Sequence, residues 1–218
     1  MTASFVALAM TGLLSTGPSN RVAVHLIRRC PANAECLSTG IVRRMKTETS
    51  HIWSSLDVRI DWIDSADAPM AGAAVALKVI LEETANPVLG RPVRRGLMLA
   101  AIHQPDVACG PGLARVWVTQ VRRLAASVRV QTFPLAGLPD ALADLFVARA
   151  LGRALAHEIG HYLLGTARHT PHGLMRERFT PQELLEPTTT SRYGLDRRDR
   201  ETLRSCRSSV SVRLTSSP

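Results

Sequence analysis

Residues 140–164 read DALADLFVARALGRALAHEIGHYLL, and Gly165 follows. Pro139-Asp140 opens the stretch as helices open, with Asp140 a good N-cap. Only Gly152 and Gly160 interrupt the pattern, and Gly165 stands where a helix stops. The spacing predicts one helix, about 25 residues and roughly 37 Å long at 1.5 Å per residue. Leu151, Leu155, Ile159 and Leu163 recur every fourth residue, a stripe that would bury the helix in a core. His157 and His161 fall away from that stripe. Gly160, without a side chain, leaves room for something to pack close.

Upstream, the chain is strand-rich with one long helix. Arg21–Ile27 (RVAVHLI), Val58–Ile63 (VRIDWI), Val75–Leu81 (VALKVIL), Leu97–Ile102 and Arg115–Val121 read as strands, and Val128–Phe133 as one more. Ser38–Leu56 places Ile41, Val42, Met45, Ile52, Trp53 and Leu56 at helical spacing. Glu82–Gly96 reads as a loop and Pro105–Gly112 as a turn region. Downstream come a loop with Pro171 and Gly173, a turn at Thr180-Pro181, and a last helix near Leu195–Cys206. The organisation expected is residues 1–20 as an N-terminal segment, 21–207 as one domain and 208–218 as a flexible tail.

A chain of 218 residues is long enough to bury a real core, and 45% hydrophobic with 21% charged residues excludes a disordered or fibrous protein. No apolar run reaches the roughly 20 residues that cross a bilayer. The net charge is +9, but of 27 basic residues only Lys46 and Lys78 are lysines, and the arginines are scattered in pairs. With 4% aromatics there is little to stack bases on, so no specific nucleic-acid partner is expected. Phe5–Leu14 (FVALAMTGLL), followed by Ser15, Thr16 and Gly17, resembles a signal-peptide core, though no Lys or Arg precedes it. We expect a secreted or periplasmic protein on that basis, and a cytoplasmic one otherwise. Cys30, Cys36, Cys109 and Cys206 allow two disulfides or four free thiols, with Cys30 and Cys36 near enough to close a small loop.

His157-Glu158-Ile159-Gly160-His161 is H-E-x-x-H. Residues four apart share a helix face, so both imidazoles can meet one zinc ion at about 2.0–2.1 Å. Glu158 lies roughly 100° round the helix, beside the metal and not on it, as suits a carboxylate that takes a proton from water. A catalytic zinc usually has three protein ligands and an open position. His169 is the first candidate for the third, after Gly165 has let the chain double back, and His172 the second.

His157–Met175 resembles the zinc site of the metzincin metallopeptidases, H-E-x-x-H-x-x-G-x-x-H followed by a Met-turn. Gly165 comes one residue late against that pattern, and His169 eight residues after His161 where the family has six. Gly173-Leu174-Met175 is similar to the turn whose methionine lies beneath the metal. The resemblance implies an α+β fold: a small mixed sheet, a long helix packed on it, the H-E-x-x-H helix, the Met-turn and a C-terminal helix. It further implies a zinc-dependent metalloendopeptidase acting on peptide or protein substrates, with His157, His161 and His169 as ligands, Glu158 as general base and Tyr193 within reach of the oxyanion. We expect a monomer.

Two alternatives stay open. A gluzincin-like peptidase would take Glu183 or Glu186 as third ligand, although Pro181-Gln182-Glu183 also reads as an acidic first helical turn. A non-catalytic basic module would use the metal only structurally, with no need for Glu158. A strand such as Arg115–Val121 at the cleft edge would bind an extended peptide by strand addition.

Overall fold

The computed structural model describes residues 21–30, 36–64, 76–83, 99–103, 112–130, 133–134, 137–187 and 190–204. The expected signal segment, the loop and turn regions within 84–98 and 104–111, Cys109, Cys206 and the tail at 208–218 lie outside the described residues.

The elements in order are β1 (Arg21–Arg29), α1 (Thr39–Ser54), β2 (Arg59–Ile63), β3 (Ala76–Glu82), β4 (Ala100–His103), β5 (Gly112–Trp117), α2 (Val118–Ala126), β6 (Arg129–Val130), β7 (Phe133–Pro134), α3 (Asp140–Leu164) and α4 (Pro181–Leu185). A 3-10 turn at Thr190–Tyr193 and a helix over 197–204, here α5, follow. Five strands form one sheet in the order β2-β1-β3-β5-β4. Its pairings are parallel except β4 with β5, which is antiparallel. The fold is therefore α+β with a mixed sheet, and β6 and β7 form a separate short pair.

One face of the sheet makes the core. Val22, Val24 and Leu26 of β1, Leu77, Val79 and Leu81 of β3, and Ala114 and Val116 of β5 are buried there, every second residue as the pleat requires. The Tyr162 ring of α3 stands where a Cβ at Gly112 would sit, 2.6 Å from it, so β5 and α3 meet on that face. α1 is started by the Ser38 hydroxyl, which accepts the Ile41 N–H at 3.2 Å. Ile41, Val42, Met45, Thr49, Ile52 and Trp53 are its buried residues.

α1 and α3 press together, with side chains of α1 bonded to backbone carbonyls of α3. The Thr49 hydroxyl donates to the Gly152 carbonyl at 3.0 Å, and the Trp53 indole N–H donates to the Ala156 carbonyl at 3.2 Å. Both pairs are spaced by four on both helices, so two successive turns of α1 hold two successive turns of α3. A Cβ on Gly152 would lie 2.8 Å from the Glu48 Cβ and 2.9 Å from the Met45 carbonyl oxygen.

Three expectations are corrected in detail. The strand read at Arg115–Val121 ends at Trp117, and α2 begins at Val118. The apolar run suits either state, and the deciding helical recurrence at Leu124 and Ala125 lies beyond it. The cap of α3 is Pro139, with no side-chain bond, and Asp140 is its first helical residue, where its charge meets the positive end of the helix. Thr180-Pro181 begins α4: Thr180 and Glu183 form a reciprocal capping box. Cys30 and Cys36 are joined in a disulfide, their Cα atoms 5.6 Å apart. Among the described residues no helix is long and apolar enough to cross a membrane.

Gly152→Ala should cost about 1–3 kcal/mol, because the new methyl group meets backbone that cannot give way. Urea unfolding should show a lower midpoint at unchanged slope. A midpoint equal to that of the wild type would contradict the close approach of α1 and α3.

Candidate metal centre

α3 is buried on nearly all sides, more than its single apolar stripe suggests. Leu151, Leu155, Ile159 and Leu163 are in the core, and so are Tyr162, Glu158 and His161. His157 is half-buried and His169 exposed, so the histidine cluster opens to solvent at one end.

The turn after α3 brings the third imidazole back. Gly165 takes the left-handed conformation, φ 57°, which costs a residue with a Cβ but not glycine. The Thr166 N–H then donates to the His161 carbonyl at 3.3 Å. From there the chain runs back along the helix end, and His169 Nε2 comes to 3.2 Å from His161 Nε2. His161 Nε2 is also 2.9 Å from His157 Nε2. The ligand atoms of His157, His161 and His169 all lie within 4.8 Å of one another.

The far sides of two rings are anchored. His157 Nδ1 is 2.7 Å from the Leu174 carbonyl oxygen, and His161 Nδ1 is 2.8 Å from the Thr166 carbonyl oxygen. A carbonyl oxygen only accepts, so each Nδ1 donates and carries its ring's proton. The two facing Nε2 atoms are then bare lone pairs 2.9 Å apart. Two lone pairs that close need a cation between them. Zinc bonded tetrahedrally to nitrogens at about 2.0–2.1 Å sets them roughly 3.3 Å apart, near the 2.9 and 3.2 Å of the two pairs that His161 makes, with all three atoms within 4.8 Å. The residues present therefore fit the metal.

Burial pushes the His157 imidazole down to about 4, against a smaller opposing effect of the Leu174 carbonyl, and pushes His161 down as well. Both rings are thus kept neutral, the form that binds metals. Burial alone pushes the Glu158 carboxyl up to about 8 in the metal-free protein.

Met175, 1% exposed, packs against α3 at Gly160. A Cβ on Gly160 would be 2.3 Å from its sulfur, so the missing side chain at 160 is filled by the methionine. The loop carrying Met175 is pinned by the Thr170 N–H, which donates to the Met175 carbonyl at 2.8 Å. Gly173, at φ +79°, brings the Leu174 N–H onto the Gly194 carbonyl at 2.9 Å.

The other candidates are placed elsewhere. His172 is exposed, and only its carbonyl is engaged, accepting the Thr170 hydroxyl at 2.7 Å. The Glu183 carboxylate is held by Thr180 and, at 2.8 Å, by Arg176; against burial, which raises its pKa, the Thr180 N–H, Arg176 and the Thr180 hydroxyl together pull it down. Glu186 caps the end of α4. Neither glutamate belongs to the histidine group. The Tyr193 hydroxyl, expected near the oxyanion, donates to the Glu183 carbonyl at 2.8 Å, and burial pushes it up to about 12. Reading the sequence missed the two carbonyls that orient the rings, because backbone acceptors carry no residue signal. It also missed Phe179, whose ring meets His157 edge-on at 6.0 Å.

Gly160→Ala should destabilise the protein by about 1–3 kcal/mol. Adding Met175→Ala should restore part of that loss, since it removes the atom in the way. A double-mutant cycle by urea unfolding reads the coupling, and strictly additive effects would separate the two residues.

No protein-family profile matches the chain, and no curated protein sequence matches it. Among solved structures, archaemetzincin from Methanopyrus kandleri is similar at a TM-score of 0.44 and 15% identity, over 88% of this chain and 98% of that chain. So distant a likeness leaves the chemistry to the side chains themselves.

Proposed function

We propose that this chain is a metzincin-like zinc metallopeptidase that hydrolyses peptide bonds, with His157, His161 and His169 as ligands and Glu158 as general base. The observation that carries the reading is the convergence of three Nε2 atoms while the Nδ1 protons of two rings are committed to carbonyls. Zinc held there would supply Lewis acidity to the attacking water and to the scissile carbonyl.

The protein's own groups do the rest. The Leu174 and Thr166 carbonyls hold His157 and His161 in one orientation, so no ring has to turn during turnover. Glu158 takes the proton from water on a carboxylate oxygen as the water oxygen bonds to the peptide carbon. It then delivers that proton to the leaving amine nitrogen as the C–N bond breaks. A structural site has no use for an acid next to an open ligand position, and this favours catalysis over the non-catalytic module.

For the substrate, an extended peptide suits the sheet edge. β5 lies between β3 and β4, so the cleft-edge strand is β4 and not the segment 115–121. Main-chain pairing along β4, which packs against α3, would give affinity without demanding particular side chains. The Cys30–Cys36 disulfide fits an oxidising compartment, in line with export. We take the working unit to be a monomer.

Metal analysis of the purified protein should find one zinc per chain, and cleavage of a peptide library should stop when a chelator is added. Glu158→Gln should keep the zinc and lose turnover by about 10²–10⁴-fold. His169→Ala should weaken zinc binding and abolish cleavage. Full activity in Glu158→Gln would refute the assignment of the base; absence of zinc would refute the reading.

A further inference from the structure

Arg153 is an arginine in the core. It lies one turn before His157 on α3, in the row that continues to His161, and is 2% exposed. A buried charge is costly, and an apolar residue of the same volume is often neutral or stabilising in its place. The contacts of this arginine lead toward the histidine cluster.

Arg153 Nε donates to the Glu48 carboxylate of α1 at 2.8 Å, and another guanidinium nitrogen donates to the Glu183 carbonyl at 2.7 Å. That carbonyl also accepts the Tyr193 hydroxyl, and the guanidinium lies 5.1 Å above the Tyr193 ring. The cation thus fixes both ends of the segment from Glu183 to Tyr193. The next residue, Gly194, accepts the Leu174 N–H at 2.9 Å, and the Leu174 carbonyl accepts the Nδ1 proton of His157 at 2.7 Å. Gly173 permits this join, since a Cβ there would be 2.1 Å from the Gly194 oxygen. A second path runs alongside: the Tyr193 ring stacks on Phe179 at 6.0 Å, and Phe179 meets His157 at 6.0 Å.

From this continuous set of contacts we infer that Arg153 is a positioning residue for His157, setting its tautomer and ring orientation through the Glu183–Gly194 segment and the Leu174 carbonyl. The inference rests on the zinc-peptidase reading only for what the orientation is used for; the orientation itself belongs to the metal-free chain. Arg149 is the natural control. It also lies on α3, near enough to feel the charges of Arg153, Glu48 and Tyr193, and also donates to an α4 carbonyl, but to that of Leu185 at 2.8 Å and not to the Glu183 carbonyl that Tyr193 shares.

The experiment compares the wild type with Arg153→Met, Arg149→Met and Tyr193→Phe. In metal-free protein, long-range ¹H–¹⁵N spectra of the histidine rings report which nitrogen of His157 carries the proton. Wild type and Arg149→Met should show a protected Nδ1 proton, and Arg153→Met a mixture of tautomers. Zinc affinity, measured by chelator competition, should fall by about 10–100-fold in Arg153→Met, the range for groups that orient metal ligands, and by less than twofold in Arg149→Met. Tyr193→Phe deletes one donor to the shared carbonyl and should give about a threefold loss; it decides the matter if Arg153→Met does not fold. An unchanged tautomer with unchanged zinc affinity in Arg153→Met, or in Tyr193→Phe where it has to decide, overturns the inference. A wild type that binds no zinc refutes the peptidase reading alone, because the tautomer comparison still stands.

Discussion

Two imidazole lone pairs facing each other at 2.9 Å are the constraint on which this structure turns. Either ring could escape by turning over and presenting its Nδ1 edge. Neither can, because each Nδ1 proton is already given to a carbonyl oxygen, Leu174 for one ring and Thr166 for the other. The backbone thus imposes a repulsion that a metal ion would relieve. Much of what surrounds the cluster serves to keep those two carbonyls in place.

The Thr166 carbonyl is placed by local means. It lies one residue past Gly165, whose left-handed backbone reverses the chain, and the same turn returns His169. The Leu174 carbonyl is placed by remote ones. Its loop rests on Gly160 through Met175, is tied at Gly194, and behind Gly194 stands the network of Glu48, Arg153, Glu183 and Tyr193. One imidazole is therefore oriented by its own helix end and the other by contacts that begin on α1.

The sequence was legible where a pattern is local. The extent of α3, the stop at Gly165, the strand and helix of the first half, and the three histidines that meet all follow from spacing and from single residue preferences. It was illegible where position depends on what lies across the core. Nothing in RVWVTQV says that the strand gives way to a helix at Val118, since β-branched and aromatic residues serve a buried face in either form. Tyr193 follows Gly173-Leu174-Met175 in sequence, yet its hydroxyl is taken by a carbonyl that no pattern identifies. Arg153 was invisible for the opposite reason. In a chain with 27 basic residues, one more arginine on a helix reads as solvated surface.

Two of the hydrogen bonds between α1 and α3 join residues 103 positions apart. Contacts of that range close slowly, since the entropy of the intervening chain must be lost before they form. During synthesis the inner side of α1, with Met45, Ile52 and Trp53, stays uncovered until the segment after Gly152 has left the ribosome. Over that interval the nascent chain exposes an apolar helix face beside unfinished strands, the kind of species that associates wrongly and that chaperones shield. The three clustered histidines follow Gly152 closely, so a chain that stops before them would carry the hazard of the fold without the cluster.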